Sequence, residues 1–249
     1  FRRVLFRSRY SPLAIRPPMM ILAIDTALDA CSAAVLDTTS GNTIAIESQA
    51  MQRGHAEALM PLIARVMKAS GIGFAALDRI AVTTGPGSFT GLRVGLSAAR
   101  GIALAAAKPV VGLSTLTAYA APVVAENGVP AILSAIDARH DHVYFQLVAG
   151  DGGPILKPKV APIAEALAAS QYGALHLVGN AANILAERWP ADTPPPVMVD
   201  RQPAPDIIWV AWVGAAIDPD TAPPRPFYLR APDAKPPKDR LVISAPPST

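Results

Sequence analysis

Apolar positions along the chain follow two spacings, and the way these alternate lays out the fold. Short apolar runs at 20–24, 31–36 and 43–48 are bounded by Asp29, Asp37, Gly41 and Asn42, a pattern that predicts three strands joined by tight turns. From 55 to 69 apolar residues recur every three or four positions, predicting a helix. A strand at 79–83, a helix at 91–107, a strand at 109–111 and a helix at 114–124 follow. The order then restarts, with strands at 131–136, 142–148 and 154–160, helix 163–170, strand 174–178, helix 181–188, strand 197–199 and helix 206–217. Two copies of βββαβαβα imply a duplicated lobe.

Three antiparallel strands followed by helix-linked parallel ones describe a ribonuclease H-like lobe. Two such lobes facing a cleft describe the actin-like ATPase superfamily, an α/β class that by itself says little about chemistry. The expected domains are 19–126 and 127–230, divided at the turn Glu126-Asn127-Gly128. Residues 1–18 read as a non-native or disordered extension, with Met19 or Met20 as the natural start, and 231–249 as an irregular Pro-rich tail.

Composition narrows the partners. Of 249 residues 51% are hydrophobic and 16% charged, enough for a large core with apolar surface left to cover. Lys108 and Pro109 break the longest apolar stretch, so no membrane span is expected. The single cysteine, Cys31, excludes an internal disulfide and a multi-cysteine zinc site, which fits a reducing, cytoplasmic setting. The pI of about 9.2 suggests nucleic acid, but Arg2, Arg3, Arg7, Arg9 and Arg16 all precede Met19. Setting those five aside leaves 17 basic residues against 19 acidic ones, so direct tRNA binding by this chain alone is not expected.

The most informative stretch is Gly85-Pro86-Gly87-Ser88-Phe89-Thr90-Gly91-Leu92-Arg93, between a strand and a helix. Its glycines permit unusual backbone geometry, and Ser88 or Thr90 can cap helix amides that could also hold an anion. It lacks the lysine and the spacing of a P-loop. On spacing alone, a tight turn and an anion cradle both remain open.

Taken together, several stretches resemble the TsaB family, also called YeaZ. They are Ile21-Leu22-Ala23-Ile24-Asp25-Thr26, Cys31-Ser32-Ala33-Ala34, Gly54-His55-Ala56-Glu57, residues 85–93, Val111-Gly112-Leu113-Ser114-Thr115-Leu116, Asp137-Ala138-Arg139 and Tyr228-Leu229-Arg230. The resemblance runs from Met20 to about Lys235. It implies a non-catalytic scaffold and activator of the catalytic subunit TsaD, acting with the ATPase TsaE to make N6-threonylcarbamoyladenosine in tRNA. A homodimer would form in their absence, and tRNA would be reached only through the complex.

The residues bear on that implication. In an actin-like ATPase each lobe's first hairpin supplies an aspartate and a glycine-rich turn to hold magnesium and phosphates. Asp25 and Asp137 stand at those positions, but the turns after them contain no glycine, so an anion nest is disfavoured. The loop Val178-Gly179-Asn180-Ala181 keeps one glycine where two are typical. Tight ATP binding by this chain alone is therefore not expected, and ATP or ADP and a metal would enter only in the assembled complex. Asp25, Thr26, Gly85, Gly87, Ser88, Asp137 and Arg139 are candidates for a vestigial cleft with no catalytic role. The TsaD-type helical His-x3-His pair is absent, since Leu59 stands four residues after His55. His140 and His142 read as surface residues without a third ligand. No nucleophile elbow and no His-Glu-x-x-His run is present, and Cys31 reads as a buried strand residue.

What remains is a surface for another protein. In the helix at 91–107, Arg93, Ser97 and Arg100 form a narrow polar stripe and apolar residues occupy nearly everything else. The expected interface is Leu59, Leu62, Ile63, Val66 and Met67 of the first helix with Leu92, Gly95, Leu96, Ala99 and Ala103 of the second. Through the resemblance, TsaD docking and self-association would compete for it. The alternative function is an actin-like ATP-dependent kinase or metallopeptidase-like enzyme acting on its own.

Overall fold

The computed structural model describes residues 18–126 and 128–230. The expected extension up to residue 17, the turn residue Asn127 and the Pro-rich tail 231–249 lie outside them. The first half forms β1 (Met20–Asp25), β2 (Ala30–Asp37), β3 (Asn42–Ala50), α1 (His55–Ser70), β4 (Arg79–Gly85), α2 (Phe89–Ala106), β5 (Val110–Ser114) and α3 (Thr115–Val124). The second forms β6 (Ile132–Asp137), β7 (His142–Val148), β8 (Pro154–Pro162), α4 (Ile163–Leu167), β9 (His176–Val178), α5 (Ala182–Glu187), β10 (Met198–Asp200) and α6 (Ile207–Ala216). Boundaries differ from the expected ones by a few residues. Strand β5 runs on to Ser114 because Gly112 and Leu113 pair with β4, and α2 starts two residues early because Ser88 caps it.

Both halves build the same sheet. The strand orders are β3-β2-β1-β4-β5 and β10-β9-β6-β7-β8, in each case an antiparallel meander extended by two parallel strands. Side-chain alternation divides the first sheet between two cores. Leu22, Ile24, Ile80 and Val82 pack under α1 and α2, whereas Ile21, Ala23 and Ala81 pack on the other face.

That other face is covered by a helix from the far end of the chain. Helix α6 lies across β1, β2 and β4, while α3 from the first half packs on β6 of the second sheet. The halves thus exchange helices, and the expected cut at 126/127 does not separate two self-contained cores. Arg79, 5% exposed, fastens the exchange by donating through Nη1 to the carbonyls of Gly214 at 2.9 Å and Ile217 at 2.6 Å. A cation at the negative end of a helix, hydrogen-bonded to its last carbonyls, is favourable. Among the described residues no helix is long and apolar enough to cross a membrane.

Candidate functional site

The first hairpin is sealed rather than open. Asp25 ends β1 with no exposed surface; it accepts hydrogen bonds from the Thr83 hydroxyl and, at 3.2 Å, from the Ala27 amide. Its other carboxylate oxygen has no partner among the described residues. Burial pushes its pKa up to about 6, against the opposing pull of those two hydrogen bonds. The seal is the start of α2. The Ser88 amide donates to the Ala27 carbonyl at 2.7 Å, and the Thr26 hydroxyl donates to the Gly91 carbonyl at 2.7 Å.

This contact explains the glycine spacing. A Cβ at Gly87 would stand 2.3 Å from the Ala27 carbonyl oxygen, and one at Gly91 2.1 Å from that of Thr26. Close backbone approach therefore requires glycine at both positions. Of the two readings left open for the 85–93 motif, the structure supports the turn that packs a helix onto a hairpin, with Ser88 Oγ accepting from the Gly91 amide at 3.3 Å.

Between the lobes lies a cleft of about 560 Å³. Of the seven residues expected there, Gly87, Ser88, Asp137 and Arg139 line it; Asp25, Thr26 and Gly85 do not, because α2 covers the first hairpin. The second hairpin is open: Asp137 is exposed and its carboxylate accepts from the Arg139 amide at 2.7 Å. Asn180 Oδ1 accepts from the Asp137 amide at 2.8 Å, tying the β9–α5 loop to the end of β6. Arg139, His140 and Asp141 all have positive φ, at 62°, 51° and 60°, a left-handed turn that is uncommon without glycine. The His142 ring nitrogen Nδ1 lies 2.7 Å from the His140 carbonyl, inside the turn's own hydrogen bonding.

Sequence reasoning missed the cleft's third wall. Residues 223–230 leave α6 and run back over the first lobe. The Gly112 amide donates to the Ala222 carbonyl, the Phe227 amide donates to the Thr84 carbonyl at 2.8 Å, and Arg230 Nη1 donates to the Ala138 carbonyl at 3.3 Å. Phe227, Tyr228, Leu229 and Arg230 all line the cleft. The Tyr-Leu-Arg motif was the available signal, with nothing local to say where it lands. At the rim the Arg93 guanidinium sits 3.8 Å from the centre of the Phe89 ring, which packs 5.4 Å from Tyr228.

The expected interface residues lie largely beneath the outer surface of the helix pair. Leu59, Leu62, Ile63, Val66 and Met67 of α1 and Leu92, Gly95, Leu96, Ala99 and Ala103 of α2 are all buried inside this chain. Most face inward because β1, β2 and β4 present Leu22, Ile24, Val35 and Val82 to the same side, and these need cover, whereas Leu92 packs with Leu28, Leu116 and Tyr119. The outer surface of the helix pair is an open groove whose lining includes Met60, Phe89, Arg93, Val94 and Ala98 and, of the expected interface residues, Leu59 at its floor. Met60 is 50% exposed, and Leu104 farther along α2 is 85% exposed. Cys31 is fully buried and its thiol is pushed up to about 11, chiefly by desolvation, which disfavours the thiolate at neutral pH.

Two sheets of one topology, exchanged helices and a cleft between them define an α/β protein of the actin-like ATPase superfamily with two ribonuclease H-like lobes. A family model described as TsaD: tRNA N6-adenosine threonylcarbamoyltransferase matches residues 43–194. The tRNA threonylcarbamoyladenosine biosynthesis protein TsaB of Escherichia coli is 39% identical over 127 residues, 51% of this chain and 54% of that protein. An uncharacterized protein of Mycobacterium bovis is 31% identical over 220 residues, 87% of this chain and 94% of the other. The solved structure of YeaZ from Pseudomonas aeruginosa, 27% identical, covers 85% of this chain and all of its own at a TM-score of 0.68. The chain belongs to the TsaB/YeaZ family, as the motifs implied. Its match spans about half the length of the Escherichia coli relative.

Proposed function

We propose that this chain is the non-catalytic scaffold and activator of an assembly that forms N6-threonylcarbamoyladenosine in tRNA, docking on a TsaD-like catalytic subunit through the outer faces of α1 and α2. The observation that carries this reading is the sealing of Asp25. The place where an actin-like lobe would hold a metal and phosphates is filled by the start of the chain's own second helix. The same helix, with α1, offers an open apolar groove, a shape into which two helices of a partner can pack. A TsaE-like ATPase supplies nucleotide hydrolysis, so ATP or ADP and a metal belong to the assembled complex. tRNA is reached through that complex, and two copies of this chain pair by the same faces when no partner is present.

The test mixes the chain with the TsaD-like protein of the same organism, measures mass by size exclusion with light scattering, and assays threonylcarbamoyl transfer to tRNA. A stable heterodimer required for transfer is expected, with no transfer by this chain alone. Met60→Glu should weaken the heterodimer at least tenfold while leaving the fold intact, since Met60 is half exposed. Leu96 is unsuitable as a probe, because at 2% exposure a charge there disrupts the core. Transfer by the TsaD-like protein unaided, with no complex formed, would overturn the reading.

A further inference from the structure

A cavity of about 310 Å³ lies apart from both the cleft and the α1–α2 groove. Helix α3 walls it with Thr117 and Ala121, α6 with Trp209 and Val213, and β7 with Gln146, so it sits where the exchanged helices meet the second sheet. No charged side chain lines it. Gln146 is 5% exposed, and among the described residues no group takes its side-chain amide. Directly opposite it in the strand register stands Ser134, fully buried, whose hydroxyl makes no hydrogen bond among the described residues. A buried hydroxyl without a partner is costly within a fold, and the Gln146 amide beside it lines the cavity, where a polar group that enters can reach it.

We propose that this cavity binds a small neutral ligand, largely apolar or aromatic, bearing one amide or carbonyl group that pairs with Gln146. The uncharged wall disfavours an ionised ligand. The alanines and valines around it supply apolar contact, and the Trp209 indole supplies a flat face. The volume is at the small end of ligand sites, suited to a single ring with one polar substituent. Such a ligand touches α3 of the first half together with α6 and β7 of the second, and so braces the seam between the lobes. The inference is independent of the proposed partner.

Benzamide and toluene serve as probes, titrated into the full chain while the Gln146 side-chain amide and the Trp209 indole are followed by proton–nitrogen NMR. Saturable shifts of both resonances with benzamide are expected. Ala121→Leu, which fills the cavity, should abolish saturation. Gln146→Leu should leave toluene binding in place and weaken benzamide about tenfold, the loss of one buried hydrogen bond. Shifts that stay linear in benzamide overturn the proposal, as do saturable shifts that survive Ala121→Leu. Equal loss of both probes in a folded Gln146→Leu protein overturns the polar half of the assignment.

Discussion

Asp25 holds a charge that its surroundings resist. The carboxylate is fully buried, with two donors on one oxygen and none on the other. Its folded pKa is raised to about 6, mainly by desolvation, whereas an aspartate in the unfolded chain titrates near 4, or roughly two units lower. Between those values the folded state holds a proton that the unfolded state has released, so stability falls as pH rises from about 4 to about 6. The difference is on the order of 2–3 kcal/mol at neutral pH. Asp25→Asn should flatten that decline, which urea unfolding midpoints collected from pH 4.5 to 7.5 would reveal. A midpoint profile identical to that of the unaltered protein would show that Asp25 does not govern this range. The sequence put Asp25 at the end of its strand but could not reveal its burial, because the covering residues lie some sixty positions away.

At the scale of elements, α2 contains glycines of opposite meaning. At Gly91 an added Cβ meets the Thr26 backbone, which cannot yield as a flexible side chain would; at Gly101, exposed in the same helix, it meets nothing within 4 Å. Gly91→Ala should therefore destabilise by about 1–3 kcal/mol, and Gly101→Ala should stabilise by roughly 0.5–1 kcal/mol through reduced backbone freedom in the unfolded chain. Chemical denaturation of the two variants checks the signs; two changes of the same sign would remove the packing explanation for the motif. The elements themselves were legible in the sequence, because strand alternation and helical periodicity are local signals. The inward direction of α1 and α2 was not. Helix α2 is apolar around most of its circumference, so periodicity could not say which side meets the sheet and which the solvent. The expected docking residues consequently fell mostly on the inner side, with Leu59 alone reaching the outer groove, where it joins Met60, Val94 and Ala98.

For the whole molecule, the exchange of α3 and α6 determines what can fold alone. The sequence Ile-Ile-Trp-Val-Ala-Trp-Val-Gly-Ala-Ala of α6 is apolar on every side, a sign of burial on more than one face. Nothing local tells which sheet receives it. Its landing on the first sheet leaves the 19–126 segment without the cover for Ile21, Ala23, Ala34 and Ala81, and without the carbonyls that Arg79 binds. A fragment of residues 19–126 should therefore fail to give the dispersed amide spectrum of a folded lobe, and the full chain should unfold in a single transition. Arg79→Met tests the same coupling within the intact chain. Removing the guanidinium leaves the last carbonyls of α6 without their donor and should cost about 2–4 kcal/mol, with near-ultraviolet signals from Trp209 and Trp212 lost together with the secondary structure of both lobes. A folded 19–126 fragment, or an Arg79→Met protein that melts in two separate steps, would mean that the lobes are independent and the exchanged helices merely rest against them.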